Sequence, residues 1–186
     1  MRDPLYKQMT DFLIALGTGD VEHSGKGFLA HLIGVYKDLE RWGCDVDVCR
    51  GGMFHSIYGT ERFQNFCLPL DRRAEVRALV GERAEWLGFL NSMMDRPQWD
   101  RIFVENTGGQ FVVNRLTREQ HALSRTDFHA LATIHLCDWL EQVPRSQEWD
   151  YRRAGYRAMA GYLGGVAAEE FDRVYAQAAI RFESHR

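Results

Sequence analysis

The sequence predicts an all-α fold with one small inserted β-hairpin, and three observations lead to this prediction. Apolar residues recur every three or four positions along most of the chain, as they do on one face of an α-helix. Short apolar runs around a glycine-containing turn occur at one place, about residues 102–114. Hydrophobic residues make up 45% of the 186 residues and charged residues 26%, which is typical of a globular protein with a buried core.

The first half of the chain is predicted to form helices that glycines separate. Helical periodicity covers about residues 3–17 and 25–43, and a short helix is expected over about 45–55. Within that short helix, two consecutive glycines allow close packing against a neighbour. A long helical stretch follows over 71–94, and Gly81 can interrupt it.

The pattern changes at RIFVENTGGQFVVNRLTREQ. Two apolar triplets flank Asn-Thr-Gly-Gly, which predicts the hairpin at 102–114. Thr117 and Gln120 then have the Thr-x-x-Gln spacing of a capping box, so a helix is expected from there to about Gln142. Pro144 should stop it.

The length favours a single domain over residues 1–186, with no repeat or linker to divide it. Its site region is expected at about 23–142 and its C-terminal helices at 147–162 and 167–183. The apolar face of those last helices can complete the core or form a homodimer interface.

Composition excludes several kinds of partner. A net charge of −3 provides no basic surface for nucleic acid. No apolar run approaches the roughly 20 residues that cross a bilayer, and the start lacks a signal peptide, so no membrane association is expected. The four cysteines form no Cys-x-x-Cys pair, which favours reduced thiols and a cytoplasmic protein.

Three residues have the chemistry and the surroundings of metal ligands. His31 lies beside the apolar stripe of the second helix, and His55 ends the third. Asp138 lies in the apolar stretch ATIHLCDWLEQ, where an ionised carboxylate needs a partner. Imidazole and carboxylate ligands suit manganese, iron or zinc.

Four segments carry a resemblance: the one around His31, GGMFHSIYGTE, VRALVGERAEWL and ATIHLCDWLEQ. Together they resemble the HD-domain superfamily of metal-dependent phosphohydrolases, with the nearest likeness to the hydrolase domain of the (p)ppGpp synthetase/hydrolase family. The stretch HLIGVYKDLERWG…FHSIYGT resembles a small group of HD-like proteins. The resemblance covers about residues 23–142 and implies an all-helical fold with His31, His55 and Asp138 as ligands.

The chain departs from the family pattern at two places. Ser56 stands where the family has a metal-binding aspartate, and Gly59-Thr60 stands where the (p)ppGpp hydrolases have the Glu-Asp pair that handles water. A serine hydroxyl is a weaker ligand than a carboxylate. It is also a weak candidate nucleophile, because adjacency to His55 does not provide triad geometry.

Two further residues are candidates for moving a proton. Glu61 lies just beyond the missing Glu-Asp pair and can act as a general base or remain an exposed turn residue paired with Arg62. His23, eight residues before His31, can approach the rim of the site or lie in an exposed loop. His135, one turn before Asp138, can line the same pocket.

The leading prediction is a divergent HD-domain protein with a mononuclear divalent-metal site. As an enzyme it would hydrolyse a phosphoester of a small nucleotide-like substrate with metal-activated water. One alternative is a catalytically degenerate protein that binds a small molecule or regulates another protein. A further alternative is an iron-dependent oxygenase on the same fold.

Overall fold

The computed structural model describes residues 3–23 and 25–183 of the chain. Helices dominate these residues, and the only sheets among them are two short antiparallel hairpins, so the predicted all-α fold is confirmed. The helices are α1 (Tyr6–Ala15), α2 (Phe28–Arg41), α3 (Val46–Met53), α4 (Arg73–Val80), α5 (Glu82–Met93), α6 (Arg96–Val104), α7 (Arg125–Ser146), α8 (Arg153–Leu163) and α9 (Gly165–Glu183). The paired strands are β1 (Glu22–His23) with β2 (Lys26–Gly27), and β3 (Phe111–Val113) with β4 (Gln120–Ala122). Across the same described ranges, no helix combines the length and apolar character of a membrane-spanning segment.

Capping side chains fix where two of the site-bearing helices begin. Asp45 accepts hydrogen bonds from the backbone N–H groups of Asp47 and Val48, both at 3.0 Å, at the start of α3. Ser124 accepts one from the N–H of Asp127 at 3.1 Å at the start of α7. These bonds satisfy donors that the first turn of a helix leaves unpaired.

The predicted hairpin at 102–114 is wrong in its first strand. Residues 102–104 form the last turn of α6, which Asp95 caps by accepting a hydrogen bond from a backbone N–H of the first turn. Trp99 and Ile102 lie on the buried face of this helix and Phe103 packs beside them, whereas Val104 is exposed. The second predicted strand exists as β3, but it pairs with β4.

The helix expected to begin at Thr117 begins later. The residues predicted to form its first turn instead reverse the chain direction at Arg118, where φ is +63°, and lead into β4. α7 then continues past Pro144 to Ser146. A proline there removes a single hydrogen bond close to the end, so it does not stop the helix at once. The break expected at Gly81 is confirmed between α4 and α5.

Two glycines of α3 let this helix pack closely against α2 and α5, as predicted. A Cβ atom on Gly52 would lie 2.2 Å from Leu39 Cδ1 of α2. One on Gly51 would lie 3.1 Å from the carbonyl oxygen of Ala84 in α5. The end of α3 is thereby held against the second half of α2 and the first turn of α5.

The buried hydrophobic side chains form one cluster that extends from Met9 in α1 to Tyr175 in α9. α7 is central to it and contacts α2, α3, α5, α8 and α9. Nearly every residue from 130 to 140 is buried, so polar side chains in this part of α7 must find partners inside the protein.

Candidate metal centre

His31, His55 and Asp138 meet where α2, the end of α3 and α7 come together. Their side chains are almost fully buried, with 0%, 1% and 4% of each residue exposed. Asp138 Oδ1 lies 3.2 Å from His31 Nε2 and 3.3 Å from His55 Nε2. The two Nε2 atoms are 3.3 Å apart. The three residues predicted as ligands therefore form one compact cluster.

Both imidazole rings are oriented by their second nitrogen. His31 Nδ1 lies 2.5 Å from Glu141 Oε2, and His55 Nδ1 lies 2.7 Å from the carbonyl oxygen of Gly52. A carboxylate and a carbonyl both accept, so each Nδ1 carries the proton and donates it. In a neutral ring, Nε2 then presents a lone pair to the cluster. Outer partners of this kind are typical of metal-binding histidines.

The donor set fits a metal ion. Two Nε2 atoms and a carboxylate oxygen converge within 3.3 Å of one another, and when both rings are neutral their lone pairs repel unless a cation lies among them. Ligand atoms about 2.0–2.1 Å from a tetrahedral metal are about 3.3–3.4 Å apart, close to the separations observed. The cluster of His31, His55 and Asp138 can hold a metal ion.

The electrostatics of the cluster keep the aspartate ionised. Burial opposes ionisation of Asp138, but the adjacent His55 and His31 hold the pKa of its carboxyl well below the usual value. Burial likewise acts to lower the pKa of His31, and Asp138 and Glu141 outweigh it and raise that pKa. The centre therefore contains a buried negative charge that a proton or a metal ion must balance.

Glu141 is a functional residue that sequence reasoning missed. Its carboxylate accepts from His31 and is paired with Lys26 Nζ at 3.0 Å and Arg145 Nη2 at 2.6 Å. Burial opposes its ionisation, but His31 and Arg145 lower its pKa to about 2. Its position three residues after Asp138, on the same face of α7, was the available signal. Gly34 makes the approach possible, because a Cβ there would lie 2.7 Å from Glu141 Oε1.

The backbone at His55 is held by α5. Its carbonyl oxygen accepts from Asn91 Nδ2 at 2.9 Å and from Ser92 Oγ at 3.0 Å. Since His55 lies beyond the end of α3, these bonds replace the support that a helix would provide.

A cleft leads from the cluster to the surface and has a volume of about 140 Å³. A water molecule occupies about 30 Å³ in the liquid, so this volume accommodates a few waters or one phosphate-sized group. The residues around the cleft are mostly polar or aromatic and include His23, Ser56, Arg62, Arg96, Trp139 and Tyr151.

His23 lies at the cleft, in agreement with the first of its two predicted positions, the rim of the site. Its ring stacks on that of His31, with centroids 4.3 Å apart, and 8% of the residue is exposed. Burial and the neighbouring His31 lower its pKa to about 4, so the ring is neutral at pH 7. Its Nδ1 is buried and has no hydrogen-bond partner among residues 3–23 and 25–183.

Ser56 also lines the cleft, and its Oγ is buried with no partner. Neither nitrogen of His55 is directed to this hydroxyl, because Nδ1 bonds Gly52 and Nε2 faces Asp138. A serine–histidine nucleophile is therefore not formed here.

Glu61 and His135 lie apart from the cleft. Glu61 is exposed and is not among the residues lining the cleft, and Arg62 pairs with Glu148 instead of with Glu61. The expectation that His135 lines the pocket is wrong, since its ring is fully buried and bonded to Asn91 on one side.

Comparison with known proteins adds one match. Residues 12–96 match the model of a family described as a domain of unknown function, DUF6817. The match covers less than half of the 186 residues and includes His31, His55 and Ser56, but it ends before Asp138. Comparisons with curated proteins and with solved structures gave no match. The resemblance to HD-domain proteins therefore stays a prediction.

Proposed function

We propose that this chain is a divergent HD-domain protein with a mononuclear divalent-metal site that hydrolyses a phosphoester of a small, nucleotide-like substrate. The observation that carries the proposal is the convergence of the Nε2 atoms of His31 and His55 and a carboxylate oxygen of Asp138 at the inner end of a polar cleft. Gln142 Nε2 donates to the same Asp138 oxygen at 2.9 Å. When both imidazole rings are neutral they add no donor at the centre of the cluster, so a metal ion can take that place.

The proposal gives each residue of the metal centre a role. His31, His55 and Asp138 hold the ion, and Glu141 and the Gly52 carbonyl keep the rings in place. A bound divalent ion would supply Lewis-acid stabilisation and lower the pKa of a water molecule. Manganese, iron and zinc all suit two imidazoles and one carboxylate.

His23 is the favoured proton acceptor. Its neutral ring lies at the cleft next to His31 and has a free Nδ1. Glu61 is the weaker candidate because it is exposed and lies outside the cleft lining. At the inner end of the cleft, the three ligand candidates are almost fully buried, which limits their contact with bulk water.

A second function is favoured by one observation, the buried and unpartnered Ser56 in place of a ligand carboxylate. The centre then has a single carboxylate, which weakens metal binding compared with the family pattern. A protein of this kind would bind a small molecule without turning it over.

Metal uptake tests the proposal directly. The purified protein, stripped with a chelator, should take up about one equivalent of manganese, iron or zinc when measured by elemental analysis after dialysis. Asp138→Asn and His55→Gln should each lower the metal affinity at least about 100-fold, since the loss of even an outer partner of a metal ligand lowers that affinity about 10- to 100-fold. His129→Gln removes an exposed histidine of the same helix and should leave uptake unchanged.

Absence of a bound ion in the purified protein, together with no uptake after reconstitution, would contradict the metal centre. A loaded protein is then screened against phosphomonoesters and phosphodiesters of nucleotides. Turnover that His55→Gln abolishes supports the hydrolase, whereas tight binding without turnover supports the second function.

A further inference from the structure

Arg96 is a buried cation that none of the interactions described above requires. It lies in the first turn of α6, only 7% of the residue is exposed, and it lines the same cleft as His55 and Asp138. Its Nε is buried and has no hydrogen-bond partner in the part of the chain that the structure describes. Burying a guanidinium without an acceptor is strongly unfavourable, so such a group is retained where it binds something.

The nearby carboxylates are already paired with other arginines. Asp100, one turn later in α6, accepts from Arg152 at 2.6 and 2.8 Å. Glu148, on the other side of the cleft, pairs with Arg62 at 2.8 Å. Among the residues that the structure describes, no carboxylate forms an ion pair with Arg96, and its charge is left for a ligand.

Ser56 adds a second free donor to the same cleft. Its hydroxyl is buried, lines the cleft and has no partner in the described part of the chain. A guanidinium with a free N–H and a hydroxyl are both suited to the oxygens of an anion. The substitution that makes Ser56 a poor metal ligand thereby makes it a donor.

The charge of the whole centre indicates how much negative charge the ligand carries. A divalent ion with one carboxylate ligand, Asp138, retains one positive charge. The charge of Glu141 is already balanced by Lys26 and Arg145. Arg96 adds a second uncompensated positive charge at the buried end of the cleft. Glu22 also lines the cleft, but it is exposed, so water and salt screen its charge. The buried part of the cleft therefore matches a ligand with two negative charges.

We infer that Arg96 and Ser56 form a binding site for the dianionic terminal phosphate of a phosphomonoester, next to the cluster of His31, His55 and Asp138. The metal's share of the charge balance rests on the proposed function, but the buried and unpaired state of Arg96 does not. A phosphodiester, with one negative charge, fits the site less well.

The test measures binding of inorganic phosphate to the full chain by titration calorimetry. The protein is used in two forms, one treated with a chelator and one loaded with manganese. The wild-type protein should bind phosphate, and Arg96→Met should weaken that binding about 10- to 100-fold, as expected for hydrogen bonds to a charged donor. Arg101→Met removes an exposed arginine of the same helix and should leave the affinity within about twofold. Arg96→Lys keeps the charge and should retain part of the binding.

Thermal unfolding distinguishes a binding role from a structural one. Without phosphate, Arg96→Met should unfold at the same temperature as the wild type or higher, because an unpaired buried charge has been removed. Phosphate should raise the unfolding temperature of the wild type and of Arg96→Lys but not of Arg96→Met. A lower unfolding temperature for Arg96→Met, with equal phosphate affinity in the wild type and Arg96→Met, would assign the arginine to structure and overturn the inference.

The remaining outcomes separate the two proposals. Metal uptake without any phosphate binding overturns this inference and leaves the metal centre standing. Phosphate binding that depends on Arg96, in a protein that takes up no metal, supports the site and contradicts the proposed function. Dimethyl phosphate, a monoanion, should bind at least about tenfold more weakly than phosphate, and equal affinity would overturn the assignment to a dianion.

Discussion

Two buried histidine networks lie one turn apart on α7, and they differ in how donors meet acceptors. His135 Nδ1 is 2.9 Å from Asn91 Oδ1, and Arg152 donates to His135 Nε2 at 3.1 Å. Arg152 in turn donates to both oxygens of Asp100. Every donor in this network has an acceptor, whereas the cluster around Asp138 brings three acceptors together.

The difference supports a structural role for the first network and the proposed ligand-binding role for the second. Matched donors and acceptors stabilise a fold without help from outside. Converging acceptors need a cation, and an unpaired cation such as Arg96 needs an anion. A buried polar or charged group without a partner of opposite charge or hydrogen-bonding role is therefore a better indicator of a candidate binding site in this molecule than a buried histidine alone.

The largest expected effect comes from breaking the matched network. Arg152→Met should lower the free energy of unfolding by about 3 kcal/mol, because Asp100 and His135 lose their buried partner. Urea unfolding measures the change. Arg153→Met, which removes the neighbouring and exposed arginine, should change stability by less than about 0.5 kcal/mol. The amount of metal bound per folded molecule should be unchanged in Arg152→Met. Loss of metal binding would mean that the metal centre depends on the network around His135.

A smaller effect is expected from displacing Glu141 without touching a ligand. In Gly34→Ala the new Cβ would meet the Glu141 carboxylate, which must move away from His31. Metal affinity should fall about tenfold, the lower range for the loss of an outer partner. Gly161→Ala is the matched control, since that helical glycine has no atom within 4 Å of its new Cβ. Unchanged affinity in Gly34→Ala would show that Glu141 does not orient His31.

The smallest effect concerns pH. Burial and the adjacent Arg152 hold the pKa of His135 well below its usual value, so the folded state keeps this ring neutral. Its contribution is fully present above the unfolded pKa of about 6.5 and is lost as pH falls below that value.

The free energy of unfolding should therefore fall more steeply between pH 6.5 and 5 in the wild type than in His135→Gln. The difference in slope is at most about 1.4 kcal/mol per pH unit for one proton. Urea unfolding at several pH values measures it, and parallel pH profiles would contradict the assignment.

Much of the fold could be predicted because its signals are local. The break at Gly81, the short helix that begins at about residue 45 and the close packing at Gly51 and Gly52 follow from a few neighbouring residues. The hairpin prediction failed for the same reason. An apolar triplet at 102–104 has no preference between a strand and the last turn of a helix until its burial against the core decides.

The candidate ligands followed from local surroundings and a resemblance, whereas their outer partners did not. His31, His55 and Asp138 stood out as polar residues in apolar stretches of the sequence. Their separation of 3.2–3.3 Å and the role of Glu141 depend on how α2, α3 and α7 pack. The amino-acid pattern alone thus indicates the helices and the residue types of the centre. Only packing reveals which buried groups, such as Arg96, have no partner, because pairing depends on side chains that are distant in sequence.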